Sequence, residues 1–370
     1  MLSSSSFPRL KKVFPGSNSA YGFFPFYDNI ISKEANRLYI LKGGPGTGKS
    51  TFIKDIGEDF LNKGFQVEFH YCSSNSESLD GVVIPAKKAA VIDGTAPHVV
   101  DPAYTGAFDE IIHLGKFLNS QHLQENKDVI IKVNEEKQRY FYYTYTLLYA
   151  SKMFLNAAEY CWALEAQEEK AGLSNLTREL IEEIISDRTG KHPRGRLRKL
   201  FATGITPEGA VNLLTNLTAE LYYVYLLYGE NGAVKGDILR KIMEAALQRG
   251  FYVEAYCCAL DPYRIDHIII PQLFVGIVNS KKPHFLHPRY SYKEIDVDGV
   301  AYSLQKKKRG AEKQEFHERH RNTFVKAISF LNEAKILHDE LEEYYKAAMH
   351  FGEEFNQLKE EIKLNIQGLS

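Results

Sequence analysis

Apolar and polar positions along the chain follow two rhythms. Short apolar runs suited to buried strands occur at residues 38–41, 65–71, 79–85 and 89–92. Between the first two, Phe52, Ile53, Ile56, Phe60 and Leu61 recur at helical spacing and stop at Gly64, a C-cap candidate. Residues 9–14 form another β-like run, followed by a glycine- and aromatic-rich stretch over 16–27. From Ala107 to about Asp187 the pattern becomes mostly helical. Residues 126–171 read as one long helix with Phe141, Tyr145, Leu148, Leu155 and Trp162 near one face. The ring-dense stretch 140–145 suits core burial or packing on a partner helix. Residues 197–203 are the β-like stretch after this helical block, and they predict a strand that completes the first sheet. Residues 311–367 are again helical and charged.

The pattern repeats. Positions 39–102 overlay 225–288 without a gap, and 19 of the 64 pairs are identical. The identities include Gly64-Phe65 on Gly250-Phe251, Cys72 on Cys258, Asp80 on Asp266, Ile84-Pro85 on Ile270-Pro271 and Pro97-His98 on Pro283-His284. Ahead of position 39 the offset grows by one, bringing Arg9-Leu10 onto Arg196-Leu197 and Gly22 onto Gly209. A period this long is a duplicated domain rather than a solenoid. The expected fold is therefore α/β: two three-layer αβα domains with parallel-rich sheets, each with a helical appendage. Residues 1–195 form the first, with a helical insertion over about 104–190. Residues 196–370 form the second, with a helical tail over about 311–367.

Between the first strand and the first helix stands Gly43-Gly44-Pro45-Gly46-Thr47-Gly48-Lys49-Ser50-Thr51, which fits the phosphate-binding pattern G-x-x-x-x-G-K-[ST]. The glycines allow a tight turn that brings bare N–H groups onto phosphate oxygens. The helix beginning near Lys49 adds its positive dipole end. Lys49 is placed to reach the β- and γ-phosphates, and the Ser50 hydroxyl to ligate Mg²⁺. The run 89–92 ends at Asp93, the carboxylate expected to hold the Mg²⁺ water shell. Gly94 follows, where many ATPases of this kind carry a catalytic Glu. Either water activation therefore falls to another group, His98 first with Glu77, Asp80 and Asp101 as alternatives, or hydrolysis is slow. A structural histidine in the Pro-His turn is the competing reading, because His284 repeats it.

The second copy keeps counterparts of Gly43, Gly46 and Lys49 but has lost the other groups of the site. Its loop reads Gly229-Glu230-Asn231-Gly232-Ala233-Val234-Lys235-Gly236. Val234 replaces Gly48, Gly236 replaces Ser50, and Asn279 stands where the first copy has Asp93. Two losses that serve one ion point to a lost magnesium site.

Composition changes the picture little. The 370 residues carry 44% apolar and 25% charged residues with a net charge of −1, an ordinary globular balance with no global field for nucleic acid or membrane. No apolar run approaches the roughly 20 residues needed to span a bilayer. The start has no secretory pattern, and four cysteines do not make a disulfide scaffold, so a cytoplasmic location is expected. The basic run 191–199 is either a solvated linker, a nucleic-acid contact or the source of an arginine (Arg196 or Arg198) reaching the first copy's γ-phosphate. A second basic run covers 306–309.

The loop at 43–51 together with Asp93 resembles the P-loop NTPase superfamily. The tandem layout, with Phe23-Phe24-Pro25-Phe26-Tyr27, Asp93-Gly94-Thr95-Ala96-Pro97-His98 and Ile205-Thr206-Pro207-Glu208-Gly209, resembles a bacterial family described only as ATPases or nucleotide kinases. The resemblance implies ATP and Mg²⁺ as ligands. Three functions compete: Mg-dependent ATP hydrolysis driving rearrangement against the second copy, phosphoryl transfer to a small acceptor, and a nucleotide-gated scaffold that binds a protein partner through the helical appendages. ATP is favoured over GTP because no Asn-Lys-x-Asp guanine-reading motif is present.

Overall fold

The computed structural model describes residues 9–165, 170–191, 193–286, 291–301 and 310–370. The chain opens with β1 (Leu10–Val13), the hairpin β2 (Gly16–Ser19) and β3 (Gly22–Pro25), and then β4 (Arg37–Lys42). Helix α1 (Lys49–Asn62) leads to β5 (Val67–Tyr71), β6 (Leu79–Ile84), β7 (Ala89–Asp93) and β8 (Asp109–His113). Three helices follow: α2 (Ser120–Glu125), α3 (Lys127–Glu165) and α4 (Lys170–Ile185). The order then repeats as β9 (Arg196–Leu200), β10 (Thr203–Thr206), β11 (Gly209–Asn212), the turn α5 (Leu214–Leu217) and β12 (Tyr223–Tyr228). Next come α6 (Gly232–Gln248), β13 (Tyr252–Cys257), β14 (Ile265–Ile270), β15 (Val275–Asn279) and β16 (Ser291–Asp296). The chain closes with α7 (Val297–Ala301), α8 (Gly310–Ala348) and α9 (Glu353–Gly368).

Two six-stranded sheets result, ordered β1-β5-β6-β7-β4-β8 and β9-β13-β14-β15-β12-β16. In each, three neighbouring pairs are parallel and the two made by the third strand are antiparallel. The protein is thus an α/β molecule with two similar mixed sheets. The predicted strand over 197–203 does not complete the first sheet. It is β9, paired with β13 as β1 is with β5. The place beside β4 belongs to β8, inside the stretch read as helical from Ala107. Its sequence Asp-Glu-Ile-Ile-His is short and half exposed, so it carries no clean strand signal.

Helices cover one face of each sheet. On the first, Phe52, Ile53, Ile56 and Phe60 of α1 pack with Val82 and Ile84 of β6. The opposite face is closed by Tyr27, Ile30, Phe23, Val100 and Phe108, so the expected helix layer is present on one side only.

The helical appendages cross over. Helices α3 and α8 run antiparallel, with Ser151 Oγ 2.8 Å from His320 Nδ1 and the Tyr140 and Phe330 rings 6.0 Å apart. Beyond α3, the residues Leu180, Ile184 and Ile185 of α4 enter the core of the second sheet with α6. Beyond α8, the residues Phe355, Ile362 and Ile366 of α9 enter the core of the first sheet with α1. Each sheet is therefore completed by a helix from the other half of the chain. These helices also repeat: Lys127–Glu165 corresponds to Gly310–Ala348, and Lys170–Ile185 to Glu353–Gly368, at one constant offset.

The two copies meet near equivalent residues. Phe14 and Phe201 exchange both backbone hydrogen bonds at 3.0 Å. Beside them, Lys11, Glu68, Arg198 and Glu254 form a buried ion network. Among the described residues, no helix is long and apolar enough to cross a membrane.

Candidate functional site

The loop between β4 and α1 turns at Gly46 and Gly48, whose φ angles of 69° and 81° suit glycine. Lys49 is buried and donates to the carbonyls of Gly43 (3.0 Å) and Gly44 (2.7 Å), and its Nζ lies 3.7 Å from the Asp93 carboxylate. That approach follows from the sheet: β7 pairs parallel with β4 in a register that sets Asp93 opposite Leu41, beside the start of the loop. Asp93 Oδ1 also accepts from Thr95 N–H (2.9 Å) and Thr95 Oγ1 (2.6 Å). Thr47 Oγ1 donates to Gly44 O, which braces the loop. Ser50 Oγ accepts from Leu79 N–H at 2.8 Å, which fixes the hydroxyl at the edge of β6. Among the described residues, no acceptor takes the N–H of Gly44, Gly46 or Gly48.

His98 is buried and stacks on Tyr27 with ring centroids 4.6 Å apart, its Nε2 3.6 Å from Asp80 Oδ1. Tyr27 donates to Asp80 Oδ2 at 2.7 Å. Burial pushes the Asp80 carboxyl up, with nearby Asp93 adding to the rise. The Asp–His pairing recurs as His284 Nε2 3.3 Å from Asp266 Oδ2, so it is common to both copies. Of the other water-activation candidates, Asp101 pairs with Lys42 at 2.8 Å, and Glu77 is exposed.

The helical crossover adds a feature absent from the sequence reading. The end of α8 and the start of α9 pack on the outside of the first loop. A Cβ at Gly44 would lie 2.4 Å from the Tyr345 ring, one at Gly46 2.6 Å from Glu342 O, and one at Gly48 2.9 Å from Phe351. Gly46 and Gly48 thus serve two needs, the turn and the close approach of the C-terminal segment, and Gly44 serves the second alone. The approach joins segments from opposite ends of the chain, and no local pattern signals it.

In the second copy the equivalent loop is filled from within. Glu159, on α3, accepts from Gly232 N–H (3.0 Å) and from Arg264 Nη1 (3.1 Å). Asp298 accepts from Glu230 N–H (2.9 Å) and from Trp162 Nε1 (3.1 Å). Protein carboxylates therefore already hold two loop donors. Lys235 donates to Gly229 O at 2.6 Å, and burial, aided by Lys281, brings its amine down to about 8. A Cβ at Gly236 would meet Arg264 Cγ at 2.8 Å, so a serine there would be crowded. Asp266, His267 and His284 cluster closely and are buried. His267 Nδ1, however, accepts Asn279 N–H, which leaves the proton on Nε2 and makes that nitrogen a donor rather than a metal ligand.

The arginines of the basic run lie elsewhere. Arg198 is bound to Glu68 and to the carbonyls of Asn29 and Ile30, and β5, which carries Glu68, is three strands from β4. Arg196 pairs with Glu34 at 2.9 Å. Neither sits at the first loop, because β9 belongs to the second sheet. His192 and residues 306–309 lie outside the described residues.

Fold and site together define an α/β protein with two similar mixed six-stranded sheets, each carrying a glycine-containing strand-to-helix loop with a buried lysine. No protein-family model matches the chain, and no curated protein or solved structure matches it.

Proposed function

We propose that this chain is a P-loop nucleoside triphosphatase that binds and hydrolyses ATP at the loop over residues 43–51, with the second copy serving as its mechanical counterpart. The asymmetry of the loop donors supports this reading. The backbone N–H groups of Gly44, Gly46 and Gly48 lack protein acceptors among the described residues, whereas those of Glu230 and Gly232 carry the carboxylates of Asp298 and Glu159. Both loops have a buried lysine and a helix N-terminus, but only the first also offers an anion of phosphate size its backbone donors.

The donor set also fits magnesium. Ser50 Oγ and the Asp93 carboxylate are hard oxygen donors, as this ion requires, and they would hold it. When bound, the ion neutralises phosphate charge and polarises the phosphoanhydride. The chain's own part is to orient the phosphates through the loop N–H groups and to place Lys49 between loop and Asp93. Because the Asp–His pair recurs in the copy that lacks the magnesium groups, His98 is a structural histidine in this reading and not the water-activating group. The packing of α8 on the loop gives nucleotide state a path to the C-terminal half.

Titration calorimetry with Mg-ATP, together with phosphate-release assays, tests the reading. Wild type should bind and release phosphate without an added acceptor. Lys49→Ala should weaken binding and abolish turnover, while Lys235→Ala leaves binding at the first loop intact. ADP formed only when an acceptor is added would make the protein a kinase, and binding without turnover would make it a scaffold. Loss of binding in Lys235→Ala with none in Lys49→Ala would overturn the assignment.

A further inference from the structure

We propose that the outward line of α3 is a self-association surface, on which a second copy of this chain pairs antiparallel. Along the side of α3 away from its buried residues run Tyr142, Thr146, Tyr149, Met153, Asn156 and Tyr160. The four large members are 70%, 50%, 39% and 64% exposed, in chain order. None of the six is charged. A solvent-facing helix line normally carries charges, and an apolar line rimmed by polar residues marks an interaction surface.

The equivalent helix α8 provides the comparison. At the six corresponding positions stand Val325, Ser329, Asn332, Ile336, Asp339 and Glu343. That line holds two carboxylates and no aromatic ring. Helix geometry is the same in both, so the aromatic line belongs to α3 alone and does not follow from the repeat.

The pattern identifies the occupant. A twofold pairing duplicates every contact, residue i meeting j and j meeting i, so a line whose two ends carry mutually compatible groups can pair with itself. This line does so about Ser151. In antiparallel register Tyr142 faces Tyr160, Thr146 faces Asn156, and Tyr149 faces Met153. Each large apolar group meets another, the polar pair can hydrogen-bond, and no like charges oppose. Tyrosine edges and a thioether against a ring are favourable partners. The line spans about 27 Å of helix. One helical face buries less than the roughly 800 Å² per partner of a standard interface, so the dimer should be weak and concentration-dependent.

Sedimentation equilibrium on the full chain over a wide concentration range tests this. The mass should rise from 42.2 kDa toward twice that value. Tyr149→Glu and Met153→Glu, at exposed positions that leave the fold's core untouched, should each weaken association at least tenfold, with melting temperature unchanged. With oxidised glutathione, an equal mixture of Thr146→Cys and Asn156→Cys chains should cross-link far faster than either alone. A chain that stays monomeric at every concentration would assign the line to another occupant and overturn the proposal. So would a dimer indifferent to both glutamate variants, or Thr146→Cys cross-linking best to itself.

Discussion

Glu159 and Glu342 occupy equivalent positions on α3 and α8, yet they face their loops differently. Glu159 reaches the N–H of Gly232. Glu342 turns along its own helix to His338 (3.4 Å) and Lys346 (3.0 Å), whose contacts hold its carboxyl down at about 2, and only its backbone carbonyl faces Gly46. The orientation of this side chain thus decides whether Gly232 or Gly46 has a protein acceptor, while Asp298 closes the donor of Glu230 separately. Gly46 carries two constraints together, a φ of 69° and a helix carbonyl at 2.6 Å from any added Cβ. Gly46→Ala should cost about 1–3 kcal/mol, since backbone strain and the clash act together. It should also abolish Mg-ATP binding. Thermal melting and calorimetry measure the two effects, and unchanged melting would show that α8 does not press on this loop.

Among the elements, α4 and α9 carry the least expected packing. Their amphipathic patterns announce helices but cannot say which sheet they cover. Ile366 of α9 is fully buried on the first sheet, and Leu180 of α4 is buried on the second. Truncating either to Ala should cost about 2–5 kcal/mol. The location of the loss is the sharper readout. In hydrogen exchange, Ile366→Ala should loosen α1 and β6, whereas Leu180→Ala should loosen α6 and β14. The reverse pattern would mean that each helix covers its own half. Strand β8 shows the opposite limit: Ile112 is buried but Ile111 is 44% exposed, and the surrounding polar residues hide an edge strand inside a helical stretch.

In the whole molecule, the crossover makes the halves interdependent. Residues 1–195 alone lack α8 and α9 over their sheet, and residues 196–370 alone lack α4. Expressed separately, each should expose apolar surface and bind a hydrophobic dye, and co-expression should restore a compact complex. A well-folded isolated half would refute the interdependence. The ion network between the copies adds a pH response. Burial raises the carboxyl of Glu68, but Arg198 and Lys11 outweigh it and hold the group well below its ordinary range. For Glu254 burial is likewise outweighed, by Lys11 and then Arg198. Groups with a depressed folded pKa contribute stability above their unfolded pKa, near 4.3, and lose it as pH falls through the folded value. Denaturant stability should therefore drop below about pH 4. Arg198→Met, which leaves Glu68 buried without its main partner, should cost about 3–5 kcal/mol at neutral pH and flatten that acid dependence.

Local chemistry was written in the sequence. The rhythm of Phe52, Ile53, Ile56 and Phe60 set α1, the glycines and Lys49 marked the loop, and the overlay of 39–102 on 225–288, with its extension toward Arg9 and Arg196, matched β1 and β4 to β7 with β9 and β12 to β15. These signals are short-range, so the chain carries them without help. The destination of β9, the presence of β8, the exchange of α4 and α9, and the carboxylates resting on the second loop were decided only by the tertiary structure. Each depends on which of two near-identical apolar faces a segment meets. Hydrophobic burial scores area rather than address, so the duplicated sequence left that choice to the packing of the complete molecule.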